Sequence, residues 1–275
     1  MSAVAAADWP LATLDAQLGA LLPACRAEHL DAVDSTSTEL MRRARAGRCE
    51  PVLLVADRQT AGRGRMGRPW QSALGADQPA SLTFSLGLPL APRDWSGLSL
   101  AVGIALAESL DPDGAAGLAL KWPNDLWLEG RKLGGILIET AGGGQSARSE
   151  RQLVIGVGLN IDARPATDGM STAPAWLREW QPQASPQSAL LQVAAPLLQA
   201  VLAFAETGFA PLAERFARRD TLRGRDVQLS DGRSGRCAGV GPGGELLVHT
   251  GQAMEAITSS EVSVRPRAAS APRQG

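Results

Sequence analysis

The segment from residue 118 to residue 161 constrains the fold most. LALKW, DLWL, a Glu129-Gly130 turn and KLGGILIET read as successive apolar strands joined tightly. QLVIGVGLNI follows as another buried strand, after AGGGQSARSE, a mobile hairpin loop. With few helices between its strands, this stretch favours an α+β sheet with helices on one side over a doubly wound fold. EHLDAV at 28–33, PVLLVAD at 51–57 and SLTFSLGL at 81–88 also have strand character. Residues 11–22 suit a short helix, Trp95 to Leu110 carries apolar residues at helical spacing before the turn DPDG, and helical patterning returns from Ser188 to Arg219. Thr36 with Glu39 three residues on has the form of a capping box, and Gly47 ends the pattern, which predicts a helix over 37–46. Residues 162–186, rich in Pro, Thr and Ser, read as a surface excursion.

From Gly224 the texture changes. DVQL, GRCAGV, ELLVH, AMEAIT and VSVR, punctuated by Asp231-Gly232 and Gly243-Gly244, have the spacing of a small β-barrel. The 275 residues therefore divide into an N-terminal extension (1–27), a large α+β domain (28–220), the barrel (221–266) and a polar, disordered tail (267–275). Lys plus Arg number 27 against 28 Asp plus Glu, so no net basic field exists to drive sequence-independent binding to nucleic acid or an anionic membrane. Cys25, Cys49 and Cys237, without C-x-x-C spacing, support neither a disulfide framework nor a zinc ribbon and fit a reducing cytoplasm. His29 and His249 have no Cys, Asp or Glu at ligand-like spacing, which argues against a histidine triad or metal site. The start lacks a basic n-region, and no uncharged run of 18 apolar residues occurs, so a soluble protein is expected. Of the 27 basic residues only two, Lys121 and Lys132, are lysines. Coding bias explains the depletion but not why the survivors are neighbours, and a compact ammonium is not interchangeable with a planar guanidinium.

Three segments carry chemistry. AGRGRMGRPW at 61–70 alternates Gly62, Gly64 and Gly67 with Arg63, Arg65 and Arg68. Glycines let backbone N–H groups approach a phosphate and guanidinium forks bind its oxygens, so the loop suits an anion; a flexible RNA contact and an inert linker are the alternatives. In KWPNDLWLEGRKLGGILIE at 121–139, Pro123 interrupts the strand and presents Asn124 and Asp125 at the break. Their oxygens suit Mg²⁺ and Lys132 suits a phosphate or carboxylate, although an Asn-Asp pair that only caps a turn fits equally well. In VIGVGLN, Gly156 and Gly158 bare one face of a strand, on which either a flat ligand or a closely packed helix can lie.

Taken together, STS, Q-x-A-GRGRMGRPW, KWPND, GRKLGGILIE, VIGVGLN and a barrel closing on EVSVR resemble the biotin–protein ligase family over residues 28–266. The resemblance implies a catalytic domain with a mixed sheet and helices on one side, class II synthetase-like and related to lipoate ligases and octanoyl transferases, followed by an SH3-like barrel. It places biotin near Ser35, Thr36, Ser37 and Gln59, with Gly135, Gly156 and Gly158 lining the pocket. Arg63, Gly64 and Arg65 would belong to the loop that closes over biotin and its adenylate, and Lys132 would contact the biotin carboxylate and activated phosphate. Arg65, Arg68, Trp70, Asn124 and Asn160 would bind nucleotide. Asp125 would hold Mg²⁺ or orient the acceptor lysine; with Lys132 and Arg65 it makes up the expected catalytic set.

The implied reaction joins biotin and ATP into biotinyl-5′-AMP and pyrophosphate. Biotin then passes to a lysine of the biotin carboxyl carrier protein of acetyl-CoA carboxylase. Ser37, Met66 and Gly134 depart from the family's commoner Asn, Arg and Ala. About 27 residues precede the catalytic pattern, too few for a winged helix-turn-helix, so no DNA operator binding is expected. The rivals are a lipoate or octanoate ligase or transferase on the same fold and an RNA-binding module using the Arg-Gly loop. Oligomeric state is left open, a homodimer included.

Overall fold

The computed structural model describes residues 8–70, 81–142, 150–164, 172–251, 253–258 and 264–266. Its larger sheet contains β1 (Arg26–Val33), β2 (Val52–Gln59), β3 (Ser81–Leu90), β4 (Leu118–Lys121), β5 (Asp125–Leu128), β6 (Arg131–Ala141) and β7 (Arg151–Asn160), in the order β1-β2-β3-β7-β6-β5-β4. β1 and β2 run parallel and the other neighbouring pairs antiparallel, which makes the sheet mixed. Alternation along the strands decides the layers. In β2, Leu53 and Val55 enter a large core roofed by α1 (Leu11–Leu21), α3 (Leu98–Leu110) and α4 (Pro186–Thr207). Val52 and Leu54 point the other way and meet Leu40 and Met41 of α2 (Thr36–Arg45) in a second, small core. The expected α+β class stands, with the three long helices on one face. α2 covers only part of the opposite face, and the remainder is free to form a site.

Local readings shift in a few places. The N-cap of α2 is Ser35 rather than Thr36: Ser35 Oγ accepts from the Thr38 N–H at 3.5 Å, which releases Thr36 for other bonds. The helix expected over 188–219 breaks at Gly208, whose φ of 68° is left-handed, and resumes only as the short α5 (Ala213–Ala217). α4 is the one helix among the described residues long and apolar enough to cross a membrane, a stretch the sequence reading missed. Val193, Leu197, Val201 and Phe204 are buried in the large core. Of the expected surface excursion at 162–186, residues 165–171 lie outside the described residues, and 172–186 is packed in: Ala175, Leu177 and Ala184 are buried, and Ala175 N–H donates to the Lys132 carbonyl, which ties this part to β6. The loop at 143–149 and the tail at 267–275 lie outside the described residues.

Where no partner was expected, His29 on β1 meets Asp57 on β2 at 3.1 Å, with Asp31 beside them. Asp57 also accepts from the Trp9 indole at 2.7 Å, so the group staples the segment ahead of α1 to the sheet.

The second sheet contains β8 (Asp226–Leu229), β9 (Ser234–Val240), β10 (Leu246–His249), β11 (Met254–Ile257) and β12 (Val264–Pro266), in the order β11-β10-β9-β8-β12, all antiparallel. This fits the small SH3-like unit. Val227, Leu229, Leu246 and Val248 continue the large core, and the buried Trp122 indole donates to the Gly244 carbonyl at 2.9 Å. That docking brings β12 to the edge of the first sheet's open face.

Candidate active site

A cavity of about 580 Å³ opens on the open face between α2, the 61–70 loop, β5, β6, β7 and β12. Every site residue named from the sequence lines it. The structure therefore gathers segments more than 120 residues apart into one place, and its two ends differ in chemistry.

One end is polar and carries no charge. Gln59, last in β2, accepts the Thr36 N–H at 2.8 Å and the Thr36 hydroxyl at 3.1 Å through Oε1. Thr36 Oγ1 and Ser37 Oγ share Ser85 Oγ at 2.7 and 3.0 Å. Ser35, Thr36, Ser37 and Ser85 are all buried, so their hydroxyls make a preset hydrogen-bonding wall. The floor is β7. A Cβ on Gly156 would collide with Ser37 Oγ, and one on Gly158 would lie 2.8 Å from Trp70 Nε1. The bared face of the G-x-G strand is met by the protein's own side chains, Ser37 of α2 at Gly156 and the Trp70 indole at Gly158. The buried Trp70 Nε1–H has no hydrogen-bond partner among the described residues.

The other end is cationic. Lys132 Nζ donates to Asp125 Oδ1 at 2.7 Å, and Arg65 Nη1 donates to Asn124 Oδ1 at 3.3 Å. Lys121 lies 4.8 Å over the Trp127 ring. Burial holds its ammonium below the usual lysine range; Asp125 opposes that shift, and Lys132, Arg265 and Arg68 add to it. Burial lowers the Arg65 guanidinium in the same way. Several cations thus crowd a single carboxylate, an arrangement completed by adding an anion.

The 61–70 loop is folded rather than flexible. Gly64 N–H donates to the Arg68 carbonyl at 2.7 Å, Trp70 N–H to the Gly62 carbonyl at 2.8 Å, and Arg63 bridges Pro69. Its apex holds exposed Met66 in the left-handed region, at φ 55°. Gly62 is required there, because a Cβ would meet the Trp70 carbonyl and Gln59 Nε2.

Asn160 and Arg63, both at the cavity wall, also make bonds within the protein. The Asn160 amide donates to the Lys132 and Ala175 carbonyls at 3.3 and 2.9 Å and accepts from Arg164 at 2.8 Å, so it positions β6. The Arg63 guanidinium is spent on Thr38 and Glu139. Sequence reasoning missed Ser85, Arg164 and Arg265. Ser81, Thr83 and Ser85, hydroxyls on alternate residues of an apolar strand, were the available signal for the first; the other two had none.

The Biotin/lipoate A/B protein ligase family profile matches residues 30–160. The bifunctional ligase/repressor BirA of Escherichia coli is 32% identical over 241 residues, covering 86% of this chain and 73% of its own. The chain belongs to the biotin–protein ligase family. The biotin–[acetyl-CoA-carboxylase] ligase of Paracoccus denitrificans is 30% identical over 237 residues, 83% of this chain and 96% of that one. The biotin protein ligase of Aquifex aeolicus, solved in complex with biotin and ATP, superposes with a TM-score of 0.72 at 26% identity, covering 88% of this chain and 99% of its own. Within the biotin–protein ligase pattern, Gly134 has a physical reason here: a Cβ would lie 2.6 Å from the Gly158 carbonyl, so alanine does not fit this β6–β7 approach.

Proposed function

We infer that this ligase condenses biotin with ATP to biotinyl-5′-AMP and pyrophosphate, then transfers biotin to a lysine of the biotin carboxyl carrier protein of acetyl-CoA carboxylase. The observation that carries the reading is the two-ended cavity: an uncharged hydrogen-bonding wall at Thr36, Ser37 and Gln59, backed by the buried Ser85, faces a cationic end around Asp125. A cyclic urea needs such a wall of fixed donors and acceptors, whereas a lipoyl or octanoyl tail needs an apolar slot. An RNA-binding reading is not favoured by a net charge of −1 and a loop whose Arg63 bridges to Glu139.

The steps this reading implies are these. A carboxylate oxygen of biotin attacks the α-phosphorus, the bond to the bridging oxygen breaks and pyrophosphate leaves. Lys132 and Arg65 offset the charge that builds on the transferring phosphoryl group. Trp70 over Gly158 offers the adenine a face, and the folded loop excludes water from a mixed anhydride that water would hydrolyse. The acceptor amine then attacks the acyl carbon and AMP departs. Asp125 and Asn124 offer one carboxylate and one amide oxygen of the type Mg²⁺ takes, but Asp125 Oδ1 accepts from Lys132 and Asn124 Oδ1 from Arg65, so the ion would need the phosphates to draw those cations away. Bound there, the ion would neutralise phosphate oxygens; Asp125 instead orienting the acceptor lysine is the other reading. The proposed limits stay at 28–220 and 221–266, although α1 (Leu11–Leu21) and the start of β1 at Arg26 pack into the first unit; β12 supplies Arg265 to the nucleotide end. A cytoplasmic setting agrees with three free cysteines, of which Cys25 and Cys237 are buried with thiols pushed up to about 11 by burial.

Exchange of labelled pyrophosphate into ATP tests the reading. Exchange that depends on biotin is expected. Exchange driven by lipoate or octanoate instead, or none together with salt-sensitive RNA binding, overturns it.

A further inference from the structure

The polar end of the cavity is backed by a chain of hydroxyls whose direction the structure fixes. Gln59 Oε1 accepts the Thr36 backbone N–H at 2.8 Å, and an amide nitrogen cannot take that place, so the orientation of the Gln59 amide is set. The Thr36 hydroxyl, 3.1 Å from the same Oε1, donates to it, because a carbonyl oxygen only accepts. A hydroxyl carries one proton. With that proton on Gln59, Thr36 Oγ1 accepts from Ser85 Oγ at 2.7 Å, and Ser85, its own proton now used, accepts from Ser37 Oγ at 3.0 Å. The chain therefore runs one way, from Ser37 through Ser85 and Thr36 to Gln59. Its free end is Ser37, which lines the cavity with its proton turned inward and its lone pairs left for a ligand.

Ser85 holds this chain from behind. It stands on β3 between Phe84 and Leu86, which enter the large core, so alternation puts its hydroxyl on the open face of the sheet. It is fully buried, and of the four residues in the chain it is the one that does not line the cavity. We propose that Ser85 is a positioning residue that makes the polar end an acceptor, so that Ser37 Oγ takes an N–H of the ligand and disfavours a ring that offers only oxygen there. The inference rests on the ligase reading for the ligand, a cyclic urea whose ring N–H groups are the donors; Ser85 touches no substrate. Hydroxyls bonded in one direction inside a protein polarise one another, which strengthens Ser37 as an acceptor. Without Ser85 the Ser37 proton loses its acceptor and turns toward the cavity, where it opposes the ligand N–H.

The test is calorimetric titration of wild type, Ser85→Ala, Ser37→Ala and the double variant with biotin, with ATP titrated in parallel. Each single variant should weaken biotin binding by roughly three- to tenfold and leave ATP binding within about twofold of wild type. Because Ser85 acts through Ser37, the double variant should lose little more than either single one. Ser85→Cys, which keeps the size but is a weak donor and acceptor, serves if Ser85→Ala folds poorly. The two carbamate analogues of biotin, in which a ring oxygen replaces one ureido N–H or the other, test the direction. One of them should bind wild type about tenfold more weakly than biotin and lose nothing further on Ser37→Ala. Additive losses in the double variant, equal losses of ATP and biotin in Ser85→Ala, or both carbamates still weakened by Ser37→Ala overturn the proposal while the ligase reading stands. Wild type that does not bind biotin overturns the ligase reading and takes the proposal with it.

Discussion

A methyl group added at Gly158 separates the two ends of the cavity experimentally. The new Cβ would lie 2.5 Å from Cζ2 and 2.8 Å from Nε1 of Trp70, where ordinary contact begins at 3.4 Å. The indole must therefore move by on the order of an ångström, since β7 is pinned between β3 and β6 and cannot retreat. Overpacking of this kind costs about 1–3 kcal/mol. If that cost falls on the adenine-facing position of Trp70, nucleotide affinity drops by roughly 5- to 100-fold at about 1.4 kcal/mol per tenfold. Gly156→Ala makes the matched control, because its Cβ runs into Ser37 Oγ, which is bonded to Ser85 at the polar end. Calorimetric titration of each variant with ATP and with biotin should give a crossed pattern, Gly158→Ala losing mainly ATP and Gly156→Ala mainly biotin. Gly158→Ala that binds ATP within about twofold of wild type, or two variants that lose both ligands equally, would refute the assignment of the two ends.

Lys132→Arg keeps a charge but replaces the compact ammonium 2.7 Å from Asp125 with a wider planar fork. Biotin-dependent pyrophosphate exchange should fall by about tenfold or more, and unchanged turnover would show that charge alone suffices. Asp220 accepts the Leu222 N–H at 2.8 Å, and burial raises its pKa above the ordinary 3.8, so whatever stability it contributes is present below that value and lost as the pH rises through the folded pKa. Asp220→Asn should accordingly raise the thermal midpoint at neutral pH, with the advantage shrinking as the pH falls toward 3.8; a constant difference across that range would contradict the sign. Trp122→Phe leaves the Gly244 carbonyl without its donor where the two sheets meet. It should cost about 1–3 kcal/mol in a urea melt, and a loss well under that would mean the indole bond contributes little to docking.

What the sequence made legible was local. The GRGR loop, the Pro123 break and the G-x-G strand each advertise unusual backbone or charge within ten residues, and all their named side chains reach one cavity. Harder to read were contacts set by register between distant strands. Glu139 is an unremarkable acid in KLGGILIET until β6 lies beside β7 and α2 delivers Thr38. Arg265 lies in the barrel strand β12 and reaches the cationic end because Trp122 and Gly244 dock the second sheet on the first. The misreading of 162–186 has the same origin: Pro and Thr describe irregular backbone, and irregular backbone can still be buried where β6 offers carbonyls such as that of Lys132 to bond it.

The two lysines acquire a physical account in this arrangement. Lys121 pairs in register with Asp125 across the β4–β5 turn, and Lys132 reaches the same carboxylate from β6. Two ammonium groups share one counter-charge. Burial first, and then repulsion from Lys132, Arg265 and Arg68, lowers the Lys121 pKa against the pull of Asp125, while an anion placed among them would raise it again. Arginine could supply charge at either position, but a planar fork at both would crowd the carboxylate that lies between them. The residue type that drift removed nearly everywhere else in this chain is retained at the two positions where size, rather than sign, of the cation decides what fits.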